Sequence, residues 1–305
     1  MTVYDSLPAG QFIRLIELYP GNRQSPIVAT FKVVELLEAP AYDAISYVWG
    51  DPSNKAFITC NGQPFSITAS LLLALLRVRQ NSQNSEKSLV WADAICIDQT
   101  NNQERSHQVA MMGKIYQCAR YVFVHIPGIK CNPQQRLSVQ ELVEEIKGRV
   151  VAFGGWDKAR KMDNLKLKDD DPFINDSRWE AVGIFLTEDW FDRAWILQEV
   201  GVAMDPHILY GDCAFSYRDL ILLCHWVASF GVRVHGKWKL RIESSLIASL
   251  DWYREDRSDS PAYPLVSFLD MFNNASYHLC KDPRDHIYAL LYHPLAHPED
   301  GSLLI

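Results

Sequence analysis

Residues 89–126, LVWADAICIDQTNNQERSHQVAMMGKIYQCARYVFVHI, decide the fold class. The stretch 89–97 is almost continuously apolar, which predicts a strand buried on both faces. Thr100-Asn101-Asn102-Gln103 has the spacing of a capping box, so a helix is expected over 103–119. Its apolar residues Val109, Met112, Ile115, Tyr116 and Ala119 recur at spacings of three and four, which turns one face inward. A short buried strand follows at 121–126 and is stopped by Pro127-Gly128. Two apolar strands joined by an amphipathic helix imply parallel neighbours in one sheet.

The segments upstream extend this pattern. Residues 12–19 (FIRLIELY), 27–37 and 42–49 (YDAISYVW) read as strands, the first stopped by Pro20-Gly21 and the third by Gly50-Asp51-Pro52. Residues 57–68 (FITCNGQPFSIT) place Asn61-Gly62 between two short runs, a hairpin signal. Residues 70–79 form a helix with Thr68 as its N-cap. From 42 onward the order is strand, hairpin, helix, strand, helix, strand, which implies a parallel sheet with helices on both faces. In such sheets the site lies at the carboxyl ends of the strands. Trp49-Gly50-Asp51 and Asp98-Gln99 both follow such ends, so two polar clusters converge on one rim.

Downstream, residues 129–186 read as an insertion, with a helix at 137–146 and a charge-dense loop at 158–172. A helix is expected at 191–200 (FDRAWILQEV), with Asp189 or Asp192 as cap, then a strand at 207–210 and a helix at 217–230. The domain reading is an α/β domain over 1–215, interrupted at about 129–186, with a mainly helical extension over 216–305 packed on it.

Composition narrows the function. The 305 residues are 48% hydrophobic and 22% charged, ample for a large core. A net charge of −7 argues against nucleic acid, because phosphate contacts need clustered Lys and Arg. The seven cysteines are odd in number, scattered and without C-x-x-C, which disfavours a disulfide framework or a structural zinc. His278 and Cys280, and separately Cys224-His225, lack metal-ligand spacing, so no metal is expected. The N-terminus has no basic region followed by an apolar one, and no apolar run reaches the ~18 residues of a membrane span. A cytoplasmic protein with reduced thiols is expected. No G-x-G-x-x-G, Walker A or G-x-S-x-G occurs, which disfavours Rossmann dehydrogenases, P-loop NTPases and α/β-hydrolases.

Several single residues stand out. Trp195 and Glu199 are four apart and would share one face of the 191–200 helix, with Arg193 near its start. On spacing alone the pattern is weak and reads first as a core tryptophan with a solvated glutamate; the functional alternatives are a glutamate in a dry pocket beside the indole or one that holds a cation. Asp93 and Asp98 are five apart and would point to opposite faces of a regular strand, so they form no carboxylate pair. Asp93, a charge inside a buried strand, needs a partner, and a salt bridge to an arginine is expected. Asp98 also reads as a turn or helix-entry residue. Cys96, among apolar neighbours, reads as an inert core thiol, and His107 as a solvated residue.

Three segments together resemble the fungal heterokaryon incompatibility (HET) domain: 42–51 (YDAISYVWGD), 91–116 (WADAICIDQTNNQERSHQVAMMGKIY) and 190–203 (WFDRAWILQEVGVA). The second is close to that family's W-I-D-x-x-C-I-D-Q…E-R…Q-V…M…I-Y pattern, departing at Ala92, where the family usually has an aliphatic residue. FIRLIELYPG at the N-terminus and DPRDHIYALL at 282–291 look like typical flanks. The resemblance implies a role in fungal self/non-self recognition and programmed cell death. It also implies a distant kinship with Toll/interleukin-1 receptor (TIR) domains, hence a TIR- or flavodoxin-like fold. The strands and helices named above fit the TIR order A to C, with the insertion before helix C as a departure.

Under that mapping Glu199 falls where NAD+-cleaving TIR domains carry their glutamate, within a similar W-x-x-x-E. The implied activity is hydrolysis of the nicotinamide–ribose bond, with NAD+ as substrate rather than cofactor. Glu199 would be catalytic. Trp195 and Trp49 would shape the pocket, and Ser46, Gly50, Asp51, Asp98, Gln99 and Arg193 would contribute to substrate binding. Asp93 and Cys96 would be structural. Self-association on activation and an incompatibility partner protein are also implied. The competing class is a non-enzymatic TIR-like module that signals by self-association. A third is a glutamate-dependent transfer of the nucleoside deoxyribosyltransferase kind, which these motifs fit less well.

Overall fold

The sheet is built from alternating and β-branched runs that pair as their apolar faces require. In the computed structural model, which describes residues 4–81, 87–161, 166–243, 268–276, 278–280, 282–292 and 296, β1 (Phe12–Leu18) and β2 (Val28–Glu35) form an antiparallel pair. β3 (Asp43–Tyr47) is buried at all five positions. β4 (Lys55–Cys60) and β5 (Gln63–Thr68) make the expected hairpin. Asn61 and Gly62 both take positive φ, 50° and 74°, the turn that matches strand twist. α1 (Ala69–Asn81) starts at Thr68, whose hydroxyl accepts from Leu71 N–H, and buries Leu71, Ala74, Leu75 and Val78.

The 89–97 segment departs from its expected form. The strand, β6, ends early (Ser88–Trp91), and Asp93–Cys96 form a single helical turn, α2. Asp93 is the first residue of this turn: Oδ1 accepts from Ala94 N–H at 2.7 Å, and an acid in the first turn is favoured by the helix dipole. α3 (Asn102–Cys118) is capped by Asn101, whose side chain accepts from Gln103 and Glu104 N–H, while Thr100 bonds Asp98 instead. Its inward face is Gln108, Met111, Met112, Ile115 and Tyr116. β7 (Tyr121–Ile126) lies where expected.

Contacts divide the chain into two compact units, Met1–His125 with Gln198–Pro206, and Ile126–Leu197 with His207–Ile305. In the first unit the strand order is β5-β4-β2-β1-β6-β3-β7. β3 pairs parallel with both β6 and β7, whereas β1 meets β2 and β6 antiparallel. The parallel block β6-β3-β7 therefore has its first strand in the middle, and the order reverses between β3 and β7. This is the topological switch point of a doubly wound sheet. The sheet is mixed rather than purely parallel because β1 and β2 add antiparallel strands.

The second unit is mainly helical. α4 (Pro133–Ala152) opens on a capping box of Asn132 and Gln135 and buries Val139, Leu142, Val143, Ile146 and Val150. α5 (Trp156–Ala159), α6 (Arg178–Phe185), α8 (Tyr217–Ser229), α9 (Val232–Trp238), α10 (Phe268–Ala275) and α11 (Asp285–Tyr288) accompany the antiparallel pair β8 (Pro206–Tyr210) and β9 (Cys213–Ser216). Trp179, Trp226 and Phe173 form an aromatic cluster in its core. The expected helix over 191–200 is broken. A 3-10 turn spans Asp189–Asp192, Arg193 is extended, and only α7 (Ile196–Glu199) is helical. The break has a tertiary cause: Arg193 bridges Leu279, Leu279 N–H donates to Asp192 O, and Ala194 N–H donates to Leu279 O. No helix among the described residues is long and apolar enough to cross a membrane.

Candidate active site

β3 delivers two polar residues to the switch point. Side chains alternate along a strand, so Tyr42, Ala44 and Ser46 share one face. Tyr42 donates its hydroxyl to Ile115 O, and Trp91, in register with Ala44, packs edge-on against Tyr116, so this is the face that α3 covers. Ser46 is 1% exposed near the carboxyl end of the strand. Its hydroxyl donates to Glu199 Oε2 across 153 positions of chain. Glu199 closes α7 and is itself 1% exposed. A carboxylate so far from water, beside the reversal of strand order, is costly to build and needs hydrogen-bond donors around it.

The adjacent residue, Gln198, is 2% exposed, and no hydrogen-bond partner is described for its Oε1. On the opposite face of the same strand ends, Tyr47 and His125 lie in register. His125 is 6% exposed, and burial, with a smaller contribution from the charge of Arg77, pushes its imidazole down to about 4. It is therefore neutral at physiological pH. Sequence reasoning passed over both residues. The signal for each was a polar residue inside an apolar run, Gln198 in WILQEV and His125 in YVFVHI.

The rim loops are arranged differently. Trp49 is 40% exposed, and its indole N–H donates to Asp93 Oδ2 at 2.9 Å. Asp93 thus sits half-buried at a helix start rather than inside a strand. Gln99 Nε2 donates to Asp93 O at 2.9 Å, which ties the two loops together. The buried ion pair nearby is Arg14 with Glu104 at 2.7 Å, which sequence reasoning missed. Arg14 also donates to Cys96 O, lies over the Tyr4 ring, and holds Glu104 where Oε1 accepts from Asp98 N–H.

Gly50 has φ +70°, and a Cβ there would meet Ser70 Cβ at 3.3 Å; Ser70 in turn donates to Val48 O. Glycine lets the chain leave β3 sharply over the start of α1. Asp51 is exposed, and its Oδ1 accepts from both the N–H and the hydroxyl of Ser53. Those bonds hold the carboxyl below its ordinary range. Asp98 repeats the arrangement with Thr100.

Cys96 is fully enclosed, and burial pushes its thiol up to about 12, so it carries no thiolate near neutrality. Cys280 lies 3.4 Å from His286 Nδ1, but burial and the charges of Asp285 and Asp282 raise its thiol. Among the described residues no group of three or more His, Cys, Asp or Glu is placed to hold a metal ion.

Of the expected site residues, Ser46, Trp49, Gly50, Asp51, Asp98, Gln99 and Glu199 belong to the first unit, whereas Arg193 and Trp195 belong to the second. Trp195 lies before α7 rather than on it, so it is not on one helix face with Glu199. Its indole donates to Asp285 Oδ2 at 3.3 Å.

The family model described as Heterokaryon incompatibility protein (HET) matches residues 42–199, from just before β3 to the glutamate that closes α7. A Neurospora crassa protein described as "Heterokaryon incompatibility protein 6, OR allele" is 25% identical over 230 residues. The match covers 66% of this chain and 34% of that protein, so the chain spans about a third of its relative's length. No solved structure gives a significant match.

Proposed function

This chain belongs to the heterokaryon incompatibility protein (HET) family, and from that premise we propose that it is a fungal incompatibility and cell-death effector that hydrolyses the nicotinamide–ribose bond of NAD+. The observation that carries this reading is the enclosed Glu199 carboxylate, held by Ser46 at the switch point between β3 and β7. The β6-β3-β7 order supports a TIR-like ancestry for the sheet.

The chemistry asks little of the protein. The C1′–N1 bond breaks with its electron pair passing to the pyridinium ring, which leaves as neutral nicotinamide and needs no general acid. Positive charge develops on the ribose C1′ and ring oxygen. A fixed carboxylate in a water-poor site stabilises that charge far better than bulk water does. Water then adds to C1′, giving ADP-ribose and releasing one proton. Glu199 supplies the negative charge, and the Ser46 hydroxyl keeps one of its oxygens in place. Trp49, anchored through Asp93, offers an exposed aromatic wall to a planar ring. Asp51 and Asp98 shape the loops through Ser53 and Thr100.

The test is nicotinamide release by the purified full chain over a range of protein concentrations, beside Glu199→Gln. Release that rises faster than protein concentration supports an enzyme switched on by assembly. A folded wild type that releases none at any concentration would leave the non-enzymatic signalling class standing. Full activity in a folded Glu199→Gln protein would refute the role of Glu199.

A further inference from the structure

We propose that Gln198 reads the carboxamide of the substrate and sets the preference of this site for the amide over the acid form of a pyridine dinucleotide. This rests on the reading above. Gln198 is 2% exposed, its Oε1 is sealed from solvent, and no hydrogen bond from its side chain is described. A glutamine amide has two donors and a carbonyl that accepts two bonds. Leaving such a carbonyl buried and unmet destabilises the folded chain. Native chains seldom carry that cost without a reason. Packing alone does not supply one here, because Met or Leu fills a similar volume without a polar atom.

The neighbouring side chain shows the contrast. Glu199, in the same helical turn, has its carboxylate engaged by Ser46. Of two adjacent buried polar side chains, one is engaged by Ser46 and the carbonyl of the other has no partner among the described residues. An open buried carbonyl calls for a ligand with an N–H donor close to the group that Glu199 serves. A primary carboxamide supplies that donor and also accepts a bond in return, so two amides pair reciprocally. In a pyridine-3-carboxamide nucleotide the amide is one ring carbon away from the nitrogen whose bond to ribose breaks. The amide reader and the ribose carboxylate must therefore flank one ring without facing each other, as consecutive residues of a helical turn do, with Cα atoms about 3.8 Å apart and side chains diverging by about 100°. A carboxylate in place of the amide has no donor for Oε1 and would leave it unpaired.

The test compares cleavage of NAD+ with that of its nicotinic-acid counterpart by the full chain, as kcat/KM for each. The wild type is expected to favour NAD+ by about 100-fold. Gln198→Met should bring that ratio to within about threefold, mainly by losing activity on NAD+. Gln198→Asn, which keeps the amide on a shorter stem, should fall between them and covers the case in which the Met variant fails to fold. A second readout separates this from a structural role: removing an unmet buried amide should raise the Tm of the unliganded Met variant. An unchanged preference in either folded variant, or a lowered Tm in the Met variant, overturns the Gln198 assignment while leaving the NAD+ reading intact. No cleavage of either dinucleotide by the wild type overturns both.

Discussion

Two settings for carboxylates meet at the carboxyl ends of this sheet, and they are built in opposite ways. Asp51 and Asp98 sit on rim loops, and each accepts from the N–H and hydroxyl of the residue two places on. These are Asx turns with a hydroxyl added, and they need nothing from the rest of the fold. Glu199 is enclosed and takes its bond from a strand residue 153 positions away. A local turn explains the first two carboxylates completely. Only a contact between distant parts of the chain accounts for the third. An acidic residue inside a well-formed motif is therefore weaker evidence of chemistry than one whose burial the local sequence does not require.

The largest expected effect tests that contrast directly. Glu199→Gln keeps the shape and the Ser46 partner but removes the charge. Nicotinamide release should fall by about 1000-fold, ~4 kcal/mol of transition-state stabilisation. The thermal midpoint should change little, since a neutral amide is easier to bury than a carboxylate.

The next effect concerns the other face of the same strand ends, where burial acts on a base. His125 is pushed down to about 4 in the folded chain, against about 6.5 when unfolded. The unfolded chain therefore binds the extra proton first as pH falls. The contribution is fully present above about pH 6.5, is lost progressively between about 6.5 and 4, and levels off below that. The loss amounts to ~3 kcal/mol. His225 in the second unit is shifted to a similar value, and burial raises the Asp43 carboxyl in the first. The clean measurement is therefore a difference. Urea unfolding of wild type and His125→Leu, followed from pH 7 to 4, should show the wild type losing that much more stability. Parallel curves would mean that His125 is not held neutral.

How far the sequence reached follows the same division between local and distant causes. The β4–β5 hairpin needs only Asn61-Gly62 and its flanking runs, and it formed as expected. β7 and α1 were legible for the same reason: their periodicity and caps are local. The 191–200 stretch was misread as one helix because nothing nearby announces that Leu279 bridges Arg193 and interrupts it. The 89–97 stretch was misread because its apolar content hid a helical turn that opens at its one charged residue, Asp93. Glu199 was singled out through a resemblance to known sequences. That Ser46 would be its partner, that Gln198 would be buried beside it and that Arg14 would brace Glu104 depend on chain crossings that periodicity does not encode.

A smaller effect sharpens the buried side of the comparison. Ser46→Ala removes one donor to Glu199 and leaves the charge in place. Nicotinamide release should fall by about tenfold, ~1.4 kcal/mol, through kcat more than KM, because the carboxylate loses orientation and the substrate loses no contact. Ser46→Thr retains the hydroxyl and should recover part of the loss. A fall in KM-dependent terms alone would instead place Ser46 against the substrate.

The smallest effect is expected on the exposed side, and it is the one most able to break the comparison. Asp51→Asn and Asp98→Asn each keep an acceptor for Ser53 or Thr100 while removing the charge. If these carboxylates only shape their loops, the amide serves as well, and nicotinamide release should stay within about twofold of wild type. The two positions are not equivalent, however. Asp51 is exposed and bonded to Ser53, whereas the Asp98 loop is tied through Glu104 to Arg14 and through Gln99 to Asp93, which also accepts from the Trp49 indole. A tenfold or greater loss in Asp98→Asn with Asp51→Asn unaffected would move Asp98 from loop architecture to substrate contact, and would join the rim loop to the buried pair as one site.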